Sequence, residues 1–429
     1  MELEHFHPSQ DPAEGLGVLM VFRLIEEALP AFFRADREIF ITRAPGRLDV
    51  MGGLAGAAAP QAIAVPTAEA ACVAVQLRDD ELVRLWSPCR DGSRTQMLSV
   101  RLSDLGLPGQ PIDFAEARAF LAGDPRDRWA GYLLGALLTL ARRHALLPER
   151  GAELLLHSDV PVGCSVGSST AITIATLQAF ARLYGLELSP TEIASLAEDV
   201  EREVLGADAR RSDAMVSLLG NAGELLVMRG AGADLEQRLA VPSDLEIVAL
   251  GLADGAADCA ADGAAAGAAS SFGADASGAG ASGADISAAG TPGAGEDPER
   301  TARFCELLGR EPSLANRHAL GDQMFEAHAS YGSSGCGRDA ADLVVDFLRG
   351  RREGGNGVYG AKLSGRGGGG GTVVLLGAHN KVWYEALRAK KHLSEATGHS
   401  AHVFRWSSPG AMAFGSIDLA PKSGGGKTS

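Results

Sequence analysis

Apolar residues recur along this chain in two rhythms. Up to about residue 245, short runs such as Ile39-Phe40-Ile41 and Leu154-Leu155-Leu156 intermix with stretches in which apolar positions return every three or four residues. The runs predict strands and the periodic stretches predict helices, which together give an α/β chain. One helix is predicted over 172–184, with Ile172, Leu177, Phe180 and Leu183 on one side. Another begins at Ser189-Pro190-Thr191-Glu192, where Ser189 caps, Pro190 takes the first helical position and Glu192 completes a capping box. Its stripe is Ile193, Leu196, Ala197, Val200 and Val204, and Gly206 ends it.

The rhythm stops at Ala253. From there to Glu296 the sequence is Ala, Gly, Ser and Asp with almost no large apolar residue, so it cannot bury enough surface to offset its conformational entropy. A disordered insertion over 253–296 is expected. Helical periodicity returns around Asp297–Leu308, Leu320–Ser330 and Ala340–Leu348, followed by a strand at Thr372–Leu376. The tail Lys422–Ser429 is expected to be disordered.

The chain has 429 residues, more than one core of ordinary size needs, so two domains are expected, and an apolar fraction of 46% supplies both cores. A net charge of −15 argues against nucleic acid or an anionic membrane as partner. No apolar run approaches the ~20 residues of a membrane span, and Met1-Glu2-Leu3-Glu4-His5 has no cationic leader. The six cysteines, at 72, 89, 164, 259, 305 and 336, show no C-x-x-C spacing and read as isolated reduced thiols. A cytoplasmic protein is expected.

Three segments carry candidate chemistry. Gly360-Ala361-Lys362-Leu363-Ser364-Gly365-Arg366 continues through a run of glycines that includes Gly367 and Gly368 into the strand at Val374. Such a loop lets backbone N–H groups approach a phosphate, although a glycine run also reads as a linker. Pro161-Val162-Gly163-Cys164-Ser165-Val166-Gly167-Ser168-Ser169-Thr170 lies between the strand at Leu154 and the helix at Ile172. The first-turn N–H groups and dipole of that helix favour an anion, and the serine hydroxyls can reach it or a metal; an ordinary capped helix start is the other reading. No Gly-Lys-Ser/Thr closes the loop, so it is not a Walker A motif. The third is Arg43-Ala44-Pro45-Gly46-Arg47-Leu48-Asp49-Val50-Met51-Gly52-Gly53, directly after Ile39-Phe40-Ile41.

In order and spacing these segments resemble motifs three, two and one of the GHMP kinases, and within that family the galactokinase branch and its L-arabinokinase-like sequences. Arg128-Trp129-Ala130-Gly131-Tyr132, Met324–Tyr331 and Ser407-Ser408-Pro409-Gly410-Ala411 extend the resemblance over about residues 38–415. It implies a two-domain fold with a ribosomal-S5-like N-terminal domain over 1–245 and a ferredoxin-like C-terminal domain over 246–429, and with ATP and Mg²⁺ in the cleft between them. It implies a base at Asp213 and an active-site arginine at Arg47. Cofactor contacts would come from Pro161, Gly163, Cys164, Ser165, Val166, Gly167, Ser168, Ser169 and Thr170 and from Gly365, Gly367 and Gly368. Substrate would meet Asp49, Gly52 and Gly53, and metal would meet Ser169 and Glu201. A helical wheel places Glu201 and Glu203 alike on the borders of the apolar stripe; the resemblance selects Glu201. By residue type alone, Asp213 also reads as a helix cap and Arg47 as a surface ion pair. Lys362 and Arg366 read equally as solvated loop cations, and His328 and Cys164 as packing residues.

The implied activity is phosphorylation of the anomeric hydroxyl of a monosaccharide, L-arabinose first, with galactose or a uronic acid as alternatives. Four departures favour a third alternative, a protein that binds nucleotide or sugar without turnover. Gly56-Ala57 stand where the resemblance expects an Asp-Tyr pair, and Leu252–Asp258 lacks an expected Arg and His. Ser165 and Gly167 stand where Gly and Ser are expected, and Arg366 where a small residue is usual.

Overall fold

The computed structural model describes residues 12–28, 31–52, 61–89, 94–121, 123–207, 209–230, 232–252, 298–333, 339–364 and 371–420. The predicted insertion, the tail 422–429, the Gly56-Ala57 pair, residues 253–258 and residues 365–370 lie outside these residues.

Two sheets organise the chain. The first contains β1 (Ile39–Met51), β2 (Gln61–Leu77), β3 (Leu82–Trp86), β4 (Met97–Arg101) and β5 (Ala152–Ser158). Their order is β1-β2-β5-β3-β4, and β6 (Glu224–Arg229) joins β2 and carries β7 (Asp234–Ala240). The second contains β8 (Leu245–Leu252), β9 (Val358–Ser364), β10 (Gly371–Ala378) and β11 (Ala401–Phe404) in the order β11-β8-β10-β9. The last strand, β12 (Ser416–Leu419), returns to the first sheet and pairs antiparallel with β1. The strands before residue 245 thus form the first sheet and those from β8 onward the second, β12 excepted.

Alternation along β1 explains its two coverings. Ile39 and Ile41 join the core of helix α1 (Pro12–Ala28) through Val18, Val21 and Ile25. On the other face the Thr42 hydroxyl donates to the Ala175 carbonyl at 2.7 Å, on the helix that follows β5. After α1, the helices before residue 245 are α2 (Phe114–Leu121), α3 (Ala130–His144), α4 (Ser168–Tyr184), α5 (Pro190–Asp199) and α6 (Arg211–Leu219). Those after it are α7 (Pro298–Leu308), α8 (Leu314–Ser333), α9 (Asp339–Glu353) and α10 (Val382–Thr397), and the short α11 (Ala411–Phe414) precedes β12. The expected capping box is present, with the Ser189 hydroxyl accepting from Glu192 N.

Arg43, at 2% exposure, explains why the chain end returns. Its guanidinium donates to the Ala68 carbonyl at 2.9 Å, the Ser408 hydroxyl at 2.8 Å and the Pro409 carbonyl at 3.2 Å. Burying a guanidinium demands that its donors be paired, and the Ser407–Ala411 segment supplies acceptors. His328 holds the second sheet similarly: Nδ1 accepts from Leu363 N at 3.2 Å while Nε2 meets Asp342 at 3.0 Å.

Helix α8 lies on β9 with no room for a side chain between them, since a Cβ added at Gly321 would fall inside the Tyr359 carbonyl. Gly321→Ala is expected to lower unfolding stability by about 1–3 kcal/mol through overpacking. Urea unfolding checks this, and an unchanged midpoint at unchanged slope would contradict the α8–β9 packing.

Candidate active site

Motif one and motif two meet because Gly46 has no side chain. A Cβ there would stand 2.8 Å from the Val166 carbonyl and 2.9 Å from Thr67 Oγ1. The close approach lets Arg47 N donate to the Val166 carbonyl at 2.8 Å, and Arg47 Nη1 to the Ser165 carbonyl at 2.6 Å. The loop in turn adopts left-handed backbone at Gly163 (φ 80°), Ser165 (φ 55°) and Gly167 (φ 78°) before α4 begins at Ser168. Cys164 is fully buried, its Sγ facing Gly251 and its carbonyl accepting from the Thr372 hydroxyl, so it shapes the loop from beneath.

Four charged side chains converge beside this loop. Arg47 Nη2 reaches Asp213 Oδ2 at 2.7 Å, and Arg210 Nη2 reaches Asp49 Oδ2 and Asp213 Oδ1, each at 3.0 Å. Arg47 Nε lies 3.8 Å from Asp49 Oδ1 and is buried without a hydrogen-bond partner among the described residues. Burial by itself raises the Asp49 carboxyl, but Arg47 and Arg210 outweigh it and hold it down to about 2. Asp49 N donates to Ser364 Oγ of the second sheet at 3.0 Å. Ser364 immediately precedes residues 365–370, so the start of motif three is anchored to motif one.

The structure separates readings that residue type left open. Arg47 is 6% exposed and is no surface ion pair. Asp213 is the third residue of α6, whose N-cap position is held by Arg210, so Asp213 is not the cap. Glu201 is 5% exposed because the helix widens into a π turn at Val200–Val204, which directs this carboxylate inward. It accepts from Thr170 Oγ1 at 2.7 Å, and burial pushes it up to about 7. Glu203 is half-buried. Lys362 corrects its expectation: it lies on β9, not in the loop, and is 0% exposed rather than solvated. Gly52 ends β1 at φ 79°, where a Cβ would collide with the Gln61 carbonyl; Gly53, Gly365, Arg366, Gly367 and Gly368 lie outside the described residues.

Sequence reasoning missed Arg210. Its signal was its position three residues before Asp213, one turn away on the same edge.

The donor set suits a phosphate and a hard cation. The N–H groups of the first turn of α4 and the orphaned Arg47 Nε face the loop, and a serine hydroxyl beside a buried carboxylate matches the oxygen ligands that Mg²⁺ takes together with phosphates. No cluster of three or more His, Cys, Asp or Glu side chains suited to a metal occurs among the described residues. A cation here would draw on Ser169, Glu201 and phosphate oxygens.

Comparison with known proteins accords with this geometry. Residues 131–221 match the GHMP kinases N terminal domain. The chain is 26% identical over 499 residues to an L-arabinokinase of Arabidopsis thaliana, covering 92% of this chain and 48% of that protein. It is 29% identical over 217 residues to a galactokinase of Chloroflexus aurantiacus, covering 48% of this chain and 47% of the relative. The chain spans about half the length of these curated relatives. Among solved structures, galactokinase of Lactococcus lactis complexed with galactose superposes with a TM-score of 0.69 at 15% identity, covering 93% of this chain and 100% of that one. The chain thus has the mixed α/β fold of the GHMP kinases and resembles their galactokinase and L-arabinokinase branch.

Ser165 sits in a backbone region that disfavours a Cβ by about 1–2 kcal/mol. Ser165→Gly, which restores the residue expected at that position, should raise stability by about 1 kcal/mol if the loop keeps its shape. A lowered denaturation midpoint would mean that the hydroxyl does more than the backbone cost.

Proposed function

We propose that this chain, built on the GHMP kinase fold, is an ATP-dependent sugar kinase that phosphorylates the anomeric hydroxyl of a monosaccharide, with L-arabinose as the leading substrate. The observation that carries this reading is the buried Arg47–Asp213 pair lying against the Pro161–Thr170 loop, with Glu201 on the Thr170 hydroxyl. The relatives' printed activities support a sugar acceptor, and the substrate itself is our proposal.

In this reading the β- and γ-phosphates lie on the α4 N-terminus, and Ser169 and Glu201 hold Mg²⁺. Bound there, the cation neutralises phosphate charge. Asp213 orients the sugar hydroxyl and accepts its proton as the oxygen bonds to the γ-phosphorus and the bond to ADP breaks. Arg47 turns its unpartnered Nε to the transferred group and holds the Asp213 carboxylate in place through Nη2. Arg210 and Asp49 complete the wall on the substrate side. Two units dividing near residue 245 would enclose the nucleotide between them. No helix among the described residues is long and apolar enough to cross a membrane; a cytoplasmic location and action without nucleic-acid or membrane partners belong to the same proposal.

A coupled ADP-release assay against a panel of free sugars tests the activity, with turnover expected on L-arabinose. Asp213→Asn and Arg47→Ala should each lower kcat by at least about a hundredfold, the usual scale for such groups. An Asp213→Asn enzyme turning over at the wild-type rate would remove the assigned base.

Nucleotide binding is a separate expectation. Mg²⁺–ATP should raise the thermal midpoint of the wild-type chain, because a ligand of the native state alone stabilises it. Glu201→Gln should shift the magnesium requirement of that effect upward. Stabilisation by nucleotide with no sugar turned over would favour the reading of a binding protein, and no stabilisation at millimolar nucleotide would contradict both.

A further inference from the structure

A second concavity lies on β1 away from the Arg47–Asp213 pair. Its volume is about 570 Å³, within the range of small-molecule sites. Leu48, Val65 and Phe404 line its apolar floor, while Glu246, Arg405 and Trp406 form one wall. Leu48 stands between Arg47 and Asp49, so alternation turns it to the opposite side of the strand from both. The cavity and the ionic site share a strand and not a face.

The wall is rigid and electrically balanced. Arg405 Nε donates to Glu246 Oε1 at 2.9 Å and Nη2 to Asn380 Oδ1 at 3.0 Å, and Asn380 N donates to Glu246 Oε2 at 2.8 Å. The guanidinium also lies over the Trp383 ring at 4.8 Å and the Trp406 ring at 5.4 Å. One guanidinium against one carboxylate leaves hydrogen-bonding capacity without net charge. His379 and Asn380 stand exposed in the lining and add donors. Trp406 remains 54% exposed beside them, an apolar surface that a ligand would remove from water.

We propose that this cavity binds a neutral, hydroxylated ring compound of monosaccharide size. An aromatic face is electron-rich and attracts the polarised C–H face of such a ring. Planar carboxylate, amide and imidazole groups pair its hydroxyls, replacing their bonds to water. Because Glu246 and Arg405 neutralise each other, neither an anionic nor a cationic ring gains charge complementarity. The site is independent of catalysis, since none of its lining residues belongs to the ionic cluster.

The test uses the full chain without nucleotide, titrated with methyl β-D-galactoside, D-galactose and L-arabinose as neutral probes and with D-galacturonate and galactose 1-phosphate as charged ones. Calorimetry and tryptophan emission report binding. At least one neutral probe should saturate, with affinity lowered about tenfold or more by Trp406→Ala and by His379→Ala, and with the charged probes weaker by a similar factor. Trp406 and His379 are exposed, so the variants' thermal midpoints should match the wild type, and the Trp406-dependent binding should persist for methyl β-D-galactoside, whose anomeric oxygen is blocked, in the Asp213→Asn chain. The proposal is overturned if no neutral probe saturates, if Trp406→Ala binds all probes as the wild type does, or if a charged probe binds as tightly as the neutral ones. A failure of kinase activity would leave each of these readings intact.

Discussion

Everything around the candidate site depends on the mutual neutralisation of buried Arg47 and half-buried Arg210 by the buried Asp49 and Asp213. Taking any one of these charges out of water unpaired costs several kcal/mol, and removing one partner of such a pair typically costs about 3–5 kcal/mol because the other charge is stranded. Asp49 and Asp213 are shared between Arg47 and Arg210, so losing either carboxylate leaves two guanidiniums against one negative charge. Arg47 adds its bond to the Ser165 carbonyl, and the loop that faces the phosphate inherits its position from the same charge balance. Pre-arranged charges of this kind stabilise a transferring group without having to reorient during the reaction.

The cluster also explains how segments far apart in the chain stay together. Asp49 and Arg47 come from β1, Asp213 and Arg210 from the start of α6, and Ser364 from the end of β9 in the other sheet. Arg43 and Ser408 repeat the pattern at the opposite end of the strand, where a buried guanidinium finds acceptors more than three hundred residues away. In both places an arginine on β1 needs partners that its own strand cannot provide, and the polar requirement selects which distant segment docks there.

Local elements and several candidate site residues are legible in short segments of the chain. Capping chemistry and apolar periodicity set α5, the glycine and serine spacing marked the α4 N-terminus, and the resemblance pointed to Arg47, Asp213 and Glu201. These are properties of short segments, where spacing maps directly onto geometry. The rest emerges only when distant segments pack. Periodicity placed Glu201 and Glu203 alike on the border of a stripe, and the π turn separated them by changing the local helical pitch. Lys362 read as a loop cation, and the extension of β9 through Ser364 buried it. Arg210 carried no motif; its importance arises from two carboxylates, one from β1 and one a turn away, arriving at the same guanidinium. The return of β12 to β1 and the concavity beside Trp406 are likewise products of packing between distant segments. A single sequence records which residues are charged or apolar, but the burial that makes a charge decisive exists only once the chain has closed around it.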